Sequence, residues 1–115
     1  LIHRVINRID DSDYIPLIEL FASNSDSPLY VDNDITIFKD GEEKYKVLKA
    51  ELKKAKQHIH LEYYIIKNDI IGNEIREILI EKAKAGVQIS LIMDRVGSIK
   101  LGRRYIRSLK EAGVD

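Results

Sequence analysis

The run Met93-Asp94-Arg95-Val96-Gly97-Ser98 gathers the residue types in this chain best suited to chemistry. A carboxylate follows an alternating apolar segment, and a glycine, a hydroxyl and a basic stretch come after it. One glycine does not make a phosphate cradle, and neither GxGxxG nor GxxxxGK[ST] occurs. The competing reading is an ordinary strand-to-helix turn in which Asp94 serves only the backbone. A second group, His58, His60 and Glu62, resembles a metal constellation on one face of a strand. A strand rises about 3.3 Å per residue, so the Cα atoms of His58 and Glu62 stand roughly 13 Å apart. All three cannot reach one ion without a sharp bend. We expect no metal there, and structural or supporting roles for the three.

A third group is cationic. Arg95, Lys100, Arg103, Arg104, Arg107 and Lys110 follow one another with no acid between them. Such a run attracts anionic lipid head groups or phosphate. The alternative is the solvated face of an amphipathic helix whose buried side is Leu101, Tyr105 and Leu109. Other nucleophile systems have no footing. There is no cysteine and no GxSxG elbow.

These residues need elements to hold them. Asp34–Phe38 is rich in β-branched residues and reads as a short strand, closed by the turn Lys39-Asp40-Gly41. Tyr45, Leu48, Leu52 and Ala55 share one helical face. The stretch from His58 to Ile66 reads as a strand. Asp69 can cap the next helix, which carries Ile71, Ile75, Ile78, Leu79 and Ala83 and stops at Gly86. Val87–Met93 alternates as a third strand. Leu101, Tyr105, Leu109 and Ala112 mark a last helix closed by Gly113, and Val114-Asp115 looks like the start of another strand. The order β-α-β-α-β-α-(β) predicts an α/β fold with three or four mainly parallel strands and flanking helices. Ligands in such sheets bind beyond the carboxyl ends of the strands, here at 65–69 and 94–101. His60, Glu62 and Tyr64 put a polar stripe on a strand that should be covered on both faces. That stripe implies a polar cleft, or a face that more chain should cover.

Composition bounds the rest. The chain has 115 residues, 44% hydrophobic and 33% charged, enough for one core and too apolar for disorder. The net charge is zero, which argues against a strongly basic nucleic-acid binder. The zero hides an asymmetry. Residues 1–41 hold three bases (Arg4, Arg8, Lys39) and eight acids (Asp10, Asp11, Asp13, Glu19, Asp26, Asp32, Asp34, Asp40), and the remainder holds 16 bases and 11 acids. We expect residues 1–33 to form a helical and loop arm of one or two short helices, foremost Asp13–Ala22, and 34–115 the α/β domain. No window approaches the roughly 20 apolar residues of a membrane span, and no signal peptide is visible. The absent initiating Met and the abrupt end at Val114-Asp115 lead us to expect a piece of a longer protein.

Five stretches together resemble the bacterial cardiolipin synthases of the phospholipase D superfamily, across about residues 28–115. They are Asn33–Gly41, Ala55–Ile65 with its His-Ile-His-Leu-Glu-Tyr-Tyr-Ile, Lys82–Val87, the Asp-x-x-Gly-Ser turn Asp94–Ser98, and Glu111–Val114. The ordered set is specific where single pieces are not. The resemblance implies an incomplete phospholipase D-like fold within a phosphatidyltransferase. Such enzymes join two phosphatidylglycerol molecules into cardiolipin and release glycerol through a phosphohistidine. Two HxKxxxxD motifs supply the nucleophile and the general acid, and no metal or organic cofactor is required. The resemblance further implies transmembrane helices before this segment, a bacterial cell membrane location with a cytoplasm-facing domain, and anionic phospholipid as partner.

The sequence departs from that pattern at the chemistry. His3 is followed by Arg4-Val5, His58 by Ile59-His60 and His60 by Leu61-Glu62, so no histidine has lysine two places on. No catalytic residue carries over. Glu62, Tyr64, Asp94 and Ser98 match family positions near strand ends and are expected to support the site. Arg95, Lys100, Arg103, Arg104 and Arg107 are candidate anionic-lipid contacts. The chain alone is expected to be inactive, soluble and a homodimer completed in the parent by the rest of its own chain, with no nucleic acid as partner. A non-catalytic interaction module on the same scaffold, or another phospholipase D-like hydrolase or nuclease, stands as the alternative.

Overall fold

The structure is a computed structural model, and it describes residues 12–24, 30 and 33–115. The chain divides into two units, Leu1–Ile37 and Phe38–Asp115. In the first, a 3₁₀ turn at Ser12–Tyr14 runs into helix α1, Ile15–Asn24, two residues later than the expected helix. Pro16 sits in its first turn, where a missing N–H costs nothing. No residue of α1 is buried.

In the second unit, α2 spans Gly41–Lys54. Asp40 caps it by accepting the Glu43 N–H at 2.9 Å, and Glu43 reaches back to the Lys39 N–H at 3.0 Å. Glu42 and Glu43 in the first turn, with Lys53 and Lys54 in the last, complement the helix dipole. Strand β1 is His58–Tyr63, helix α3 is Ile70–Lys84, and strand β2 is Gln88–Met93. Asp69 caps α3 by accepting the Gly72 N–H at 2.8 Å. A 3₁₀ turn at Ile99–Leu101 precedes α4, Arg103–Glu111. Gly102 breaks the two apart at φ 84°, so the expected last helix begins two residues late.

The strands pair in parallel, in register from His58 opposite Gln88 to Tyr63 opposite Met93. Parallel pairing was expected, but the described sheet has two strands rather than three or four. Asp34–Phe38 is not a strand. Its β-branched residues carry the propensity, yet a strand exists by pairing, and among the described residues this segment has no ladder. Ile35 and Ile37 are 78% and 90% exposed.

Two helix ends share one device. After α3, Gly86 at φ 89° lets its N–H reach Ala83 O and the Val87 N–H reach Lys82 O, both at 3.0 Å. After α4, Gly113 at φ 93° repeats the pattern onto Lys110 and Leu109. Each Ala-Gly-Val is a Schellman stop whose valine enters the core. The second delivers Asp115 to β2. Its N–H donates to Ile89 O at 3.0 Å and its carbonyl accepts from Leu91 N–H at 2.7 Å. These are the bonds of a parallel bridge opposite Ser90.

Among the described residues the core lies on one side of the sheet. Leu52, Ile75, Ile78, Leu79, Leu101, Tyr105 and Leu109 of the helical layer pack with Ile59, Val87, Ile89 and Val114. Alternation along β1 and β2 therefore turns His58, His60, Glu62, Gln88 and Ile92 to the opposite, exposed face.

Candidate functional site

Both expected carboxyl-end loops exist, and they are stitched together. Asp94 leaves β2 with its N–H donating to Tyr63 O at 3.2 Å. Its Oδ1 accepts the Gly97 N–H at 2.6 Å, and its carbonyl accepts the Ser98 N–H at 3.1 Å. The turn is thus held by a carboxylate folded onto its own backbone, as Asp does in turns. Gly97 lies against the other loop. A Cβ there would collide with the Tyr64 carbonyl oxygen and crowd Ile65 Cγ1. Ser98 is buried, and its Oγ accepts the Ile66 N–H at 3.1 Å. Asp94, Gly97 and Ser98 therefore fix where the chain leaves β1.

The four expected site residues part company here. Asp94 and Ser98 come together on the Tyr63–Ile66 backbone. Asp94 remains exposed at the sheet's carboxyl end, with one carboxylate oxygen engaged by Gly97. Glu62 projects from the open sheet face, and Tyr64 is exposed on the loop. His58 and His60 lie ring to ring at 5.0 Å on the open face. Among the described residues no group of three or more His, Cys, Asp or Glu side chains gathers as a metal site.

The basic run has a definite placement. Arg103, Arg107 and Lys110 share the outer side of α4, with Arg104 beside them, while Tyr105 and Leu109 face the core. Arg95 and Lys100 are exposed on the loop before the helix. Among the described residues none of the six forms an ion pair.

A cleft lies on the helical side, where the apolar periodicity implies only core. It has a volume of about 360 Å³, and its walls include Tyr45, Tyr63, Ile66, Asp69, Gly72 and Tyr105. It opens beside the end of β1, where such sheets take ligands. Tyr105 Oη donates to Gly72 O at 2.6 Å, and the Arg76 guanidinium stands 5.1 Å over the Tyr105 ring. Burial pushes the Tyr105 phenol above its ordinary value; Arg76 opposes that shift and Asp69 adds to it. Burial, with a smaller contribution from Tyr45, likewise raises Tyr63. The available signal was three tyrosines on otherwise aliphatic stripes, each an apolar body needing a polar outlet.

Against known proteins, the chain is 43% identical over 100 residues to a cardiolipin synthase of Geobacillus sp. (strain WCH70), covering 87% of this chain and 20% of that protein. It is 44% identical over 99 residues to a cardiolipin synthase of Halalkalibacterium halodurans, covering 86% and 20%. Over 97 residues it is 40% identical to the major cardiolipin synthase of Bacillus subtilis, covering 84% and 20%. The chain thus spans about a fifth of the length of these relatives. No protein-family model matches it, and no solved structure does.

Proposed function

From the kinship of this chain with the bacterial cardiolipin synthases along most of its length, we propose that it is part of the α/β scaffold of a phosphatidyltransferase, the opening portion of its first catalytic half. The observation that carries this reading is identity of 40–44% sustained over 84–87% of the chain. The proposed reaction joins two phosphatidylglycerol molecules. A histidine nitrogen attacks the phosphorus of one, the P–O bond to its glycerol head breaks, and glycerol takes up the proton. The terminal hydroxyl of the second molecule then attacks that phosphorus, passing its proton to the general acid that had protonated glycerol, and the P–N bond breaks to release the histidine as cardiolipin forms. Nucleophile and acid come from HxKxxxxD motifs elsewhere in the longer protein, since no histidine here has the lysine.

The part this chain plays is positional. The Asp94–Ser98 turn fixes the exit of β1, and Glu62 and Tyr64 stand close to that exit. Asp94 orients a basic or hydroxyl group beside the phosphate rather than touching it, because like charges repel. The longer protein is membrane-associated, with anionic phospholipid as its partner. Among the described residues no helix is long and apolar enough to cross a membrane.

The test is to read the gene beyond Asp115 and express the whole product with phosphatidylglycerol vesicles. Two HxKxxxxD motifs, with cardiolipin and glycerol formed one for one, are expected. The 115-residue chain alone should yield no cardiolipin above a buffer control. A stop codon near residue 115, or hydrolysis without cardiolipin, would overturn the transferase reading.

A further inference from the structure

The loop between β2 and α4 exposes two large aliphatic side chains that the fold does not use. Val96 is 73% and Ile99 77% exposed. They alternate with cations: Arg95 precedes Val96, Lys100 follows Ile99, and Arg103, Arg104, Arg107 and Lys110 continue along the outer side of α4. No acid interrupts the run from 95 to 110. Packing does not explain the aliphatic pair. Leu101, the next apolar residue, is only 1% exposed and roots the loop in the core. The turn beneath is held by the Asp94–Gly97 and Ser98–Ile66 hydrogen bonds. The loop therefore presents two exposed aliphatic side chains flanked in sequence by cations that, among the described residues, form no ion pair.

We propose that this loop and the outer face of α4 form a peripheral docking surface for an anionic bilayer, with Val96 and Ile99 entering the interface. Charge selects the partner. Each cation close to an anionic leaflet raises binding about fivefold, and it acts over a Debye length without a fitted geometry. Aliphatic residues among the cations suit a surface with acyl chains beneath its head groups. A surface for single-stranded nucleic acid would interleave aromatic residues for stacking, and Tyr105, the run's one aromatic residue, is 2% exposed; a duplex would engage the cations through its phosphates and leave Val96 and Ile99 with nothing apolar to enter. Docking in this way turns the carboxyl end of the sheet, with Asp94, toward the membrane. The inference concerns adhesion and does not need the phosphatidyl transfer reaction to be correct.

The experiment is sedimentation of the 115-residue chain with phosphatidylcholine vesicles, with and without phosphatidylglycerol. The chain should partition onto the anionic vesicles only, and added salt should weaken the binding. Arg103→Gln/Arg104→Gln/Arg107→Gln should lower the partition at least tenfold. Val96→Ser/Ile99→Ser should lower it about tenfold while keeping the salt dependence. Lys46→Gln/Lys53→Gln on α2 is the charge control and should bind like the parent. All these positions are exposed, so melting temperatures should match the parent. Equal binding to both vesicle types would overturn the proposal, as would an arginine variant that binds like the parent. So would binding to duplex DNA that the serine pair leaves intact while vesicles go unbound, which would make the run a nucleic-acid surface. Turnover is never measured, so failure here leaves the transferase reading standing.

Discussion

Replacing Ser98 with alanine tests whether the turn at the end of β2 is a structural clamp. Ser98 Oγ is the acceptor for the Ile66 N–H at 3.1 Å, and the bond is partly buried. Deleting it strands a donor as well as removing a bond. A stranded buried donor costs roughly 1–3 kcal/mol, against about 1 kcal/mol for an ordinary net bond. Partial water access at Ile66 lowers the expectation to about 1–2 kcal/mol. In a domain of this size 1 kcal/mol moves the midpoint by about 4–8 °C, so a fall of roughly 5–15 °C is expected. Ser108 supplies the comparison. Its Oγ donates to Tyr105 O at 2.7 Å within α4. Removing that hydroxyl strands nothing, because the carbonyl keeps its helical partner, and Ser108→Ala should stay within about 0.5 kcal/mol. The assay is thermal unfolding by circular dichroism, with hydrogen exchange read at the Ile66 amide. If the two serine variants melt alike and the Ile66 amide keeps its protection, the clamp reasoning is wrong.

Gly97→Ala should destabilise by about 1–3 kcal/mol, because the new methyl meets the Tyr64 backbone carbonyl, whereas Gly41→Ala meets nothing and should be neutral or slightly stabilising; equal melting temperatures would refute this. Because burial raises the Tyr105 phenol above its ordinary value of 10.0, its contribution is complete below that pH and is lost as pH rises through the higher folded value. Tyr105→Phe should therefore cost about 1 kcal/mol near neutrality and flatten the alkaline fall in stability, and chemical denaturation across that range reads both. Asp94→Asn keeps an acceptor for Gly97 and should leave the melting temperature unchanged while lowering the phosphatidyl transfer proposed for the longer protein; unchanged transfer would remove Asp94 from the proposed site, and lost folding would make its role structural. The uncovered sheet face should drive the isolated chain to self-associate, with a two-fold dimer as the simplest result, and light scattering that shows only monomer at high concentration would count against it.

The helices were legible because their signals are local. Asp40 and Asp69 cap where capping residues should, and Gly86 and Gly113 stop helices where only positive φ permits the geometry. Parallel pairing of β1 and β2 was legible from the intervening helical period. Asp34–Phe38 has the composition of a strand without being one, because strand formation depends on a neighbour, which no local pattern supplies. Among the site residues, the nearness of Asp94 and Ser98 followed from their spacing. That Ser98 serves the Ile66 amide did not, since the contact joins residues 32 apart. The cleft is not legible in the sequence for a related reason. Tyr45, Tyr63 and Tyr105 lie on three separate elements, and each looks like ordinary core on its own stripe.

The bridge made by Asp115 has a consequence for protein engineering. Its two hydrogen bonds to Ile89 and Leu91 fix both the position and the heading of the chain at that point. A peptide ligated to its carboxyl group sets off alongside β2, in the same direction and already in register with Ser90. At about 3.3 Å per residue, the third added residue would draw level with Met93. A tag of alternating apolar and polar residues would be templated as a further strand, with its tip delivered beside Asp94. A glycine-rich tag would leave the edge bare. The ligation product can thus be steered by sequence alone, and a fluorophore on the fourth added residue would report on the Asp94 turn.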